Sequence, residues 1–217
     1  EIGITDPTPI QKESIPSIKS GMDVIGISKT GSGKTAAFGI PLLERMQLHP
    51  QSQVLILAPT RELAVQISQE FKKFGKYLSF SVASIYGGVS FDPQVEHIRK
   101  AHIIVGTPGR LVDHLQRGSF SLSRVQFLVL DEADKMVEIG FIEDIRKVLD
   151  QLPPQRQILL FGATLSDEIN QIKTHYMSQP HVVHSEAYVS HDVLEQYYHN
   201  FSSHEKFSLL VHSLQKE

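Results

Sequence analysis

The sequence contains no cysteine, which rules out disulfides and every cysteine-ligated zinc site and is compatible with a reducing compartment. No apolar run approaches the roughly 18 residues of a membrane-spanning helix. No basic stretch leads into an apolar core and a small-residue cleavage site, so export is not expected. The expectation is an intracellular protein with no membrane partner, in the cytoplasm or alternatively in the nucleus. An excess of positive charge is missing too. The formal net charge is −3, whereas proteins that hold phosphate backbones by bulk charge are usually basic. A nucleic-acid site here must be a local patch. What is present is ordinary: 217 residues, 41% hydrophobic and 21% charged. That is enough for one large domain with a real core, but not for two of similar size.

Short apolar runs alternate with segments of helical period. The runs at 24–27, 54–58, 80–85, 102–105, 127–130 and 158–161 show little polar alternation, as expected of strands buried on both faces. Segments 35–46, 62–74, 94–100, 111–117, 142–149 and 167–176 read as helices. In one of them Leu63, Ile67, Phe71 and Phe74 share a face. Such alternation predicts an α/β fold, a mainly parallel sheet with helices on both faces and its strand-to-helix loops along one edge. Residues 186–192 break the rhythm and read as a linker. Residues 1–185 are then a first domain. Residues 193–217, with a strand over 193–201 and a helix over 205–214, open a second.

The first strand runs into Ser28-Lys29-Thr30-Gly31-Ser32-Gly33-Lys34-Thr35 and then a helix. This pattern resembles a Walker A phosphate loop, with Ser28 standing where the general pattern has its first glycine. Gly31 and Gly33 let successive N–H groups turn into one concavity at a helix N-terminus, where the dipole favours anions. Lys34 reaches toward β- and γ-phosphates, and the Thr35 hydroxyl suits Mg²⁺. The fifth strand ends in Asp131-Glu132-Ala133-Asp134, the acidic terminus of a Walker B site. Asp131 is expected at the metal and Glu132 at the attacking water, with Asp134 making contacts within or between domains. By themselves these two loops fit any P-loop ATPase or kinase, including one acting on a substrate other than nucleic acid.

The acidic tetrapeptide and several further segments resemble the first RecA-like domain of the DEAD-box RNA helicases, from about residue 3 to about residue 180. Pro7-Thr8-Pro9-Ile10-Gln11 resembles the family's Q motif. That likeness implies that Pro9 and Gln11 belong to the nucleotide site, with the Gln11 amide reading adenine. Pro59-Thr60-Arg61-Glu62 resembles motif Ia, Gly87-Gly88 the GG element, and Thr107-Pro108-Gly109-Arg110 motif Ib. The resemblance assigns all three to an RNA track that grips phosphate and sugar rather than bases. Gly162-Ala163-Thr164 sits at motif III, where the family usually has serine first. Gly162 removes one of two hydroxyls that couple hydrolysis to strand separation, and Thr164 keeps the other.

The implied function is RNA-stimulated ATP hydrolysis that locally unwinds RNA duplexes, with ATP and Mg²⁺ as ligands, RNA as partner, and a second RecA-like domain in cis. The alternative is an ATPase that clamps RNA or acts on some other substrate. The family's arginine-bearing pattern, His-x-x-Gly-Arg-x-x-Arg, does not occur after Ser185, so slow hydrolysis by this chain alone is expected. Two further features read as structural. His181 and His184 lack the ligands to complete a zinc site. Phe71, Phe74, Tyr77 and Phe80 are expected to pack into the core.

Overall fold

The computed structural model describes residues 6–48, 53–185, 200, 202 and 205–214. Two compact units, 1–187 and 188–217, are described separately. The first runs α1 (Pro9–Lys19), β1 (Val24–Ile27), α2 (Lys34–Leu48), β2 (Gln53–Leu57), α3 (Arg61–Phe74), β3 (Val82–Ile85) and α4 (Asp92–Lys100). It continues with β4 (Ile103–Gly106), α5 (Pro108–Gln116), β5 (Val125–Leu130), α6 (Ala133–Ile139), α7 (Ile142–Leu149), β6 (Gln157–Gly162), α8 (Asp167–Tyr176) and β7 (His181–His184). The second unit contains α9 (Lys206–Leu214), over the helix expected there. The linker expected at 186–192 lies outside the described residues, as does nearly all of the strand expected at 193–201.

The strands form one sheet in the order β3-β4-β2-β5-β6-β1-β7, with every pair parallel. Alternate residues of each strand feed opposite cores. Ile25, Leu55, Ile104, Leu128 and Leu160 face one layer with Leu111, Met136, Ile145 and Ile169. Val24, Ile56, Val105, Val129 and Phe161 face the other with Ile10, Phe38, Ala64 and Phe71. Helices α1 to α3 therefore cover one face and α4 to α8 the other. Phe38 ties the first of these layers to the sheet, with ring centroids 5.3 Å from Phe161 and 6.2 Å from Phe71. A phenylalanine so buried is worth about 3–5 kcal/mol against alanine.

Boundaries differ from expectation where side chains intervene. The third strand begins at Val82, not at residue 80, because the Ser81 N–H donates to His102 Nδ1 at 3.2 Å instead of to a ladder partner. Helix α1 contains Pro16 and starts at Pro9, two residues that blur a helical pattern. His181 and His184 lie three apart on the edge strand β7 and so project from opposite faces. Tyr77 is 88% exposed, a correction to its expected place in the core. Helix α3 closes at Gly75, and Tyr77, two residues on, has left the face that carried Phe71 and Phe74 inward.

Candidate functional site

The C-terminal ends of β1, β5 and β6 are adjacent, so the loops that follow them share one edge. The loop after β1 turns through positive φ at Gly31 (75°) and Gly33 (90°), a conformation that favours glycine. A Cβ on Gly33 would collide with the Gln11 amide. Lys34 is buried, and its Nζ donates to the carbonyls of Ser28 at 3.1 Å and Lys29 at 2.9 Å. Gln11 is buried against this loop; its Nε2 donates to Gly33 O at 3.1 Å and its Oε1 accepts from Thr8 N at 3.0 Å. Gln11 thus ties the start of α1 to the phosphate loop.

Asp131, 3% exposed, accepts from Glu132 N at 3.0 Å. Burial pushes its carboxyl up to about 7; Lys34 opposes the rise, while Glu132 and Asp134 add to it. Glu132 has φ 52° and ψ 50°, a left-handed conformation for a residue with a Cβ, and such outliers gather at working sites. A cavity of about 650 Å³ is lined by Thr8, Gln11, Thr30, Gly31, Gly33, Lys34, Thr35, Asp131 and Glu132. Leu63, Gln66, Glu70, Lys73 and Phe74 of α3 form another wall. Sequence reasoning missed this wall, because residues read as one helix's core and solvent faces gave no sign of bordering a ligand. Asp134 turns from the cavity to the loop after β6. Its Oδ2 accepts from Ala163 N (3.0 Å), Thr164 N (3.2 Å) and Thr164 Oγ1 (3.4 Å).

The neighbouring strands β3, β4 and β2 carry the other three loops. Ala58 N donates to Gly106 O and Thr107 N to Ile85 O, each at 3.0 Å, which fastens the loops side by side. Thr60 caps α3 through its Oγ1, which accepts from Leu63 N at 3.2 Å, and Pro59 is buried behind it. Pro108 opens α5, with Thr107 at its cap and Gly109 in its first turn. Arg61 and Glu62 are exposed, as are Gly87 and Gly88. The Arg61 guanidinium lies 4.7 Å above the Tyr86 ring, and Arg110 donates to Val89 O. Two helix N-termini and two guanidiniums therefore share this edge, an arrangement suited to phosphates.

A profile of the DEAD/DEAH box helicases matches residues 8–172. The chain belongs to that family. Its relatives include the DEAD-box ATP-dependent RNA helicases CshA of Bacillus cereus and Geobacillus kaustophilus, 43% and 44% identical over 216 residues, 98% of this chain. The chain spans only 41% and 46% of their lengths. Among solved structures, a DEAD box protein from the hyperthermophile Methanococcus jannaschii aligns with TM-score 0.80 at 38% identity. That alignment covers 96% of this chain and 57% of the other. A hypothetical ATP-dependent RNA helicase from Sulfolobus tokodaii gives TM-score 0.78 at 38% identity, over 85% of this chain and 54% of that one.

The DEAD/DEAH box domain also has an aromatic cluster, built on Phe91 just after Gly87-Gly88, that sequence reasoning overlooked. The Phe91 ring stacks on His114, with centroids 4.0 Å apart and planes 15° from parallel. Arg110 and Arg117 lie 5.2 Å and 4.5 Å from the same ring. The available signal was the helical spacing of residues 110, 114 and 117, together with aromatics on either side of Gly87-Gly88. His114 is fully buried; its Nδ1 sits 2.9 Å from Ser119 Oγ, and its Nε2 has no partner among the described residues. Burial, then the charge of Arg110, hold its pKa at about 4; Asp113 opposes them, and Arg117 adds a smaller push downward.

A depressed histidine pKa stabilises the fold fully above the unfolded value near 6.5, and that contribution is lost as pH falls toward 4. Between pH 7 and pH 4.5 a shift of this size corresponds to a loss on the order of 2 kcal/mol. Thermal unfolding at pH 7 and pH 4.5 should show the chain losing more stability than a His114→Leu variant. Parallel losses in the two proteins would remove His114 from the explanation.

Proposed function

We propose that this chain is the ATP-binding half of an ATP-dependent RNA helicase. In this reading residues 1–185 are the first RecA-like domain, 186–192 the linker, and 193–217 the opening of a second RecA-like domain that completes the enzyme in cis. The observation that carries the reading is the cavity at which Lys34, Thr35, Asp131 and Glu132 meet, on the same sheet edge as the Arg61 and Arg110 loops. Relatives named as ATP-dependent RNA helicases, of which the chain spans less than half, support it.

The donor set fits Mg·ATP. Backbone N–H groups from Thr30 to Thr35 and the Lys34 ammonium suit the phosphates, and Thr35 and Asp131 are hard oxygen ligands of the kind Mg²⁺ prefers. Bound there, Mg²⁺ would neutralise charge on the phosphate oxygens. Pro9 and Gln11 shape the base side of the site. Glu132 orients the attacking water and accepts its proton's hydrogen bond, so the chemistry is mostly positioning. Pro59 to Glu62, Gly87-Gly88 and Thr107 to Arg110 hold the RNA backbone. Specificity for RNA then comes from shape and 2′-hydroxyls rather than base edges.

The test is ATP turnover by the two-domain protein with no nucleic acid, with single-stranded RNA, or with single-stranded DNA. Stimulation by RNA alone is expected. Equal turnover in all three would refute the helicase reading and favour an ATPase with another substrate. RNA-stimulated turnover without strand separation would leave an RNA clamp. In the 217-residue chain hydrolysis should stay very slow, because arginine fingers are worth roughly 10³–10⁵ in rate.

Gly162 adds a finer expectation about coupling. A Cβ there would stand 3.0 Å from Asp134 Oδ1, within reach of a hydroxyl's hydrogen bond after a small shift. Gly162→Ser in the two-domain protein should therefore raise duplex unwound per ATP hydrolysed. An unchanged ratio would exclude a coupling role for that hydroxyl.

A further inference from the structure

Ser28 departs from the general phosphate-loop pattern, and it is wholly buried. A buried hydroxyl needs a partner, and Ser28 Oγ has one in Ser32 Oγ at 2.8 Å, across the loop. The same residue accepts from Lys34 Nζ through its carbonyl at 3.1 Å, and its N–H donates to Gly162 O at 2.9 Å. Three sets of contacts therefore meet at one residue: the crest of the loop, the lysine ammonium and the end of β6. In this arrangement Lys34 is spent on the carbonyls of Ser28 and Lys29. An ammonium has three donors, so one remains for a phosphate, and a second phosphate contact requires one of these two bonds to loosen.

We infer that Ser28 is a positioning residue of the phosphate loop, its hydroxyl paired with Ser32 to hold a closed form that incoming nucleotide must open. The inference rests on the nucleotide reading of this cavity. A ligand that binds only the open form has its apparent affinity reduced by the open fraction. Removing one ordinary hydrogen bond from the closed form changes that fraction by about fivefold. The Ser28→Ala variant should accordingly bind Mg·ADP about fivefold more tightly. The gain should lie in the association rate, because the bound state does not use the latch. Ser32→Ala, at a half-buried position, should do the same without touching the core. The double variant should add nothing beyond either single change, since both remove one bond.

Stopped-flow binding of a fluorescent Mg·ADP analogue to the whole chain and to the three variants tests this. Faster association in both single variants, with dissociation unchanged and no further gain in the double variant, is the expected result. A loss of affinity, an unchanged association rate or simple additivity would overturn the latch while leaving the nucleotide site intact. No binding by any of the four proteins would overturn the nucleotide reading and this inference with it.

Discussion

Replacing Lys34 with alanine should lower the affinity of this chain for Mg·ATP and Mg·ADP by about a hundredfold or more. Lys34 lines the cavity beside Gly31 and Gly33 and is one of few almost fully buried charged groups among the described residues. A hydrogen bond to a charged group is worth about 1.5–3 kcal/mol, and an ammonium makes more than one to a polyphosphate. Its removal also strips Asp131 of the charge that opposes its protonation. Both effects act against a bound metal–nucleotide complex. Isothermal titration with ADP and Mg²⁺ would measure the change. An affinity within a few fold of the unaltered chain would place the phosphates elsewhere and remove the basis for the nucleotide assignment. Thermal unfolding distinguishes this from collapse of the loop, because the folded variant should keep its sheet.

Glu132→Gln should act on the other half of the chemistry. In the two-domain protein it should leave Mg·ATP bound and cut hydrolysis by roughly 10²–10³, the scale seen when one positioned catalytic group is lost. Glutamine keeps the shape of the side chain but is a poorer acceptor for the water proton. Glu132 lines the cavity with Lys34 and Thr35, and its only ion pair among the described residues is a loose one, 3.8 Å from Lys135 Nζ. It is therefore available to a water in a way that Asp134, committed to Ala163 and Thr164, is not. Turnover measured against nucleotide affinity separates the two roles. Equal losses in both would mean that Glu132 supports binding and not hydrolysis.

The central strands were legible because burial on both faces leaves unbroken apolar runs. Residues 127–130 and 158–161 need no neighbour to be recognised. The meeting of the glycine-rich and acidic loops at one cavity was legible because glycines at fixed offsets after a strand and carboxylates at a strand end are distinctive in sequence. Other features depend on partners distant in sequence. Helix α1 carries a proline in its interior, which hides its helical period. Helix α6 is seven residues long, too short for a period to show. Strand β7 has histidines at both ends and only two apolar residues between them, too short an apolar run to read as a strand. The wall of the cavity formed by Gln66, Glu70 and Lys73 depends on how α3 leans toward the phosphate loop, which periodicity does not encode. Tyr77 shows the converse error: an aromatic residue among aromatics that the end of a helix leaves in water.

The backbone at Glu132 takes a left-handed conformation that glycine adopts freely and that most residues with a Cβ disfavour. Every side chain able to handle a water proton is therefore held there at a conformational cost of about 1 kcal/mol or more. Glycine would relieve that cost and, in the proposed reading, remove the carboxylate that orients the water. On that reading, durability and turnover pull in opposite directions at this one position, and selection for a sturdier protein would drift toward an inert one.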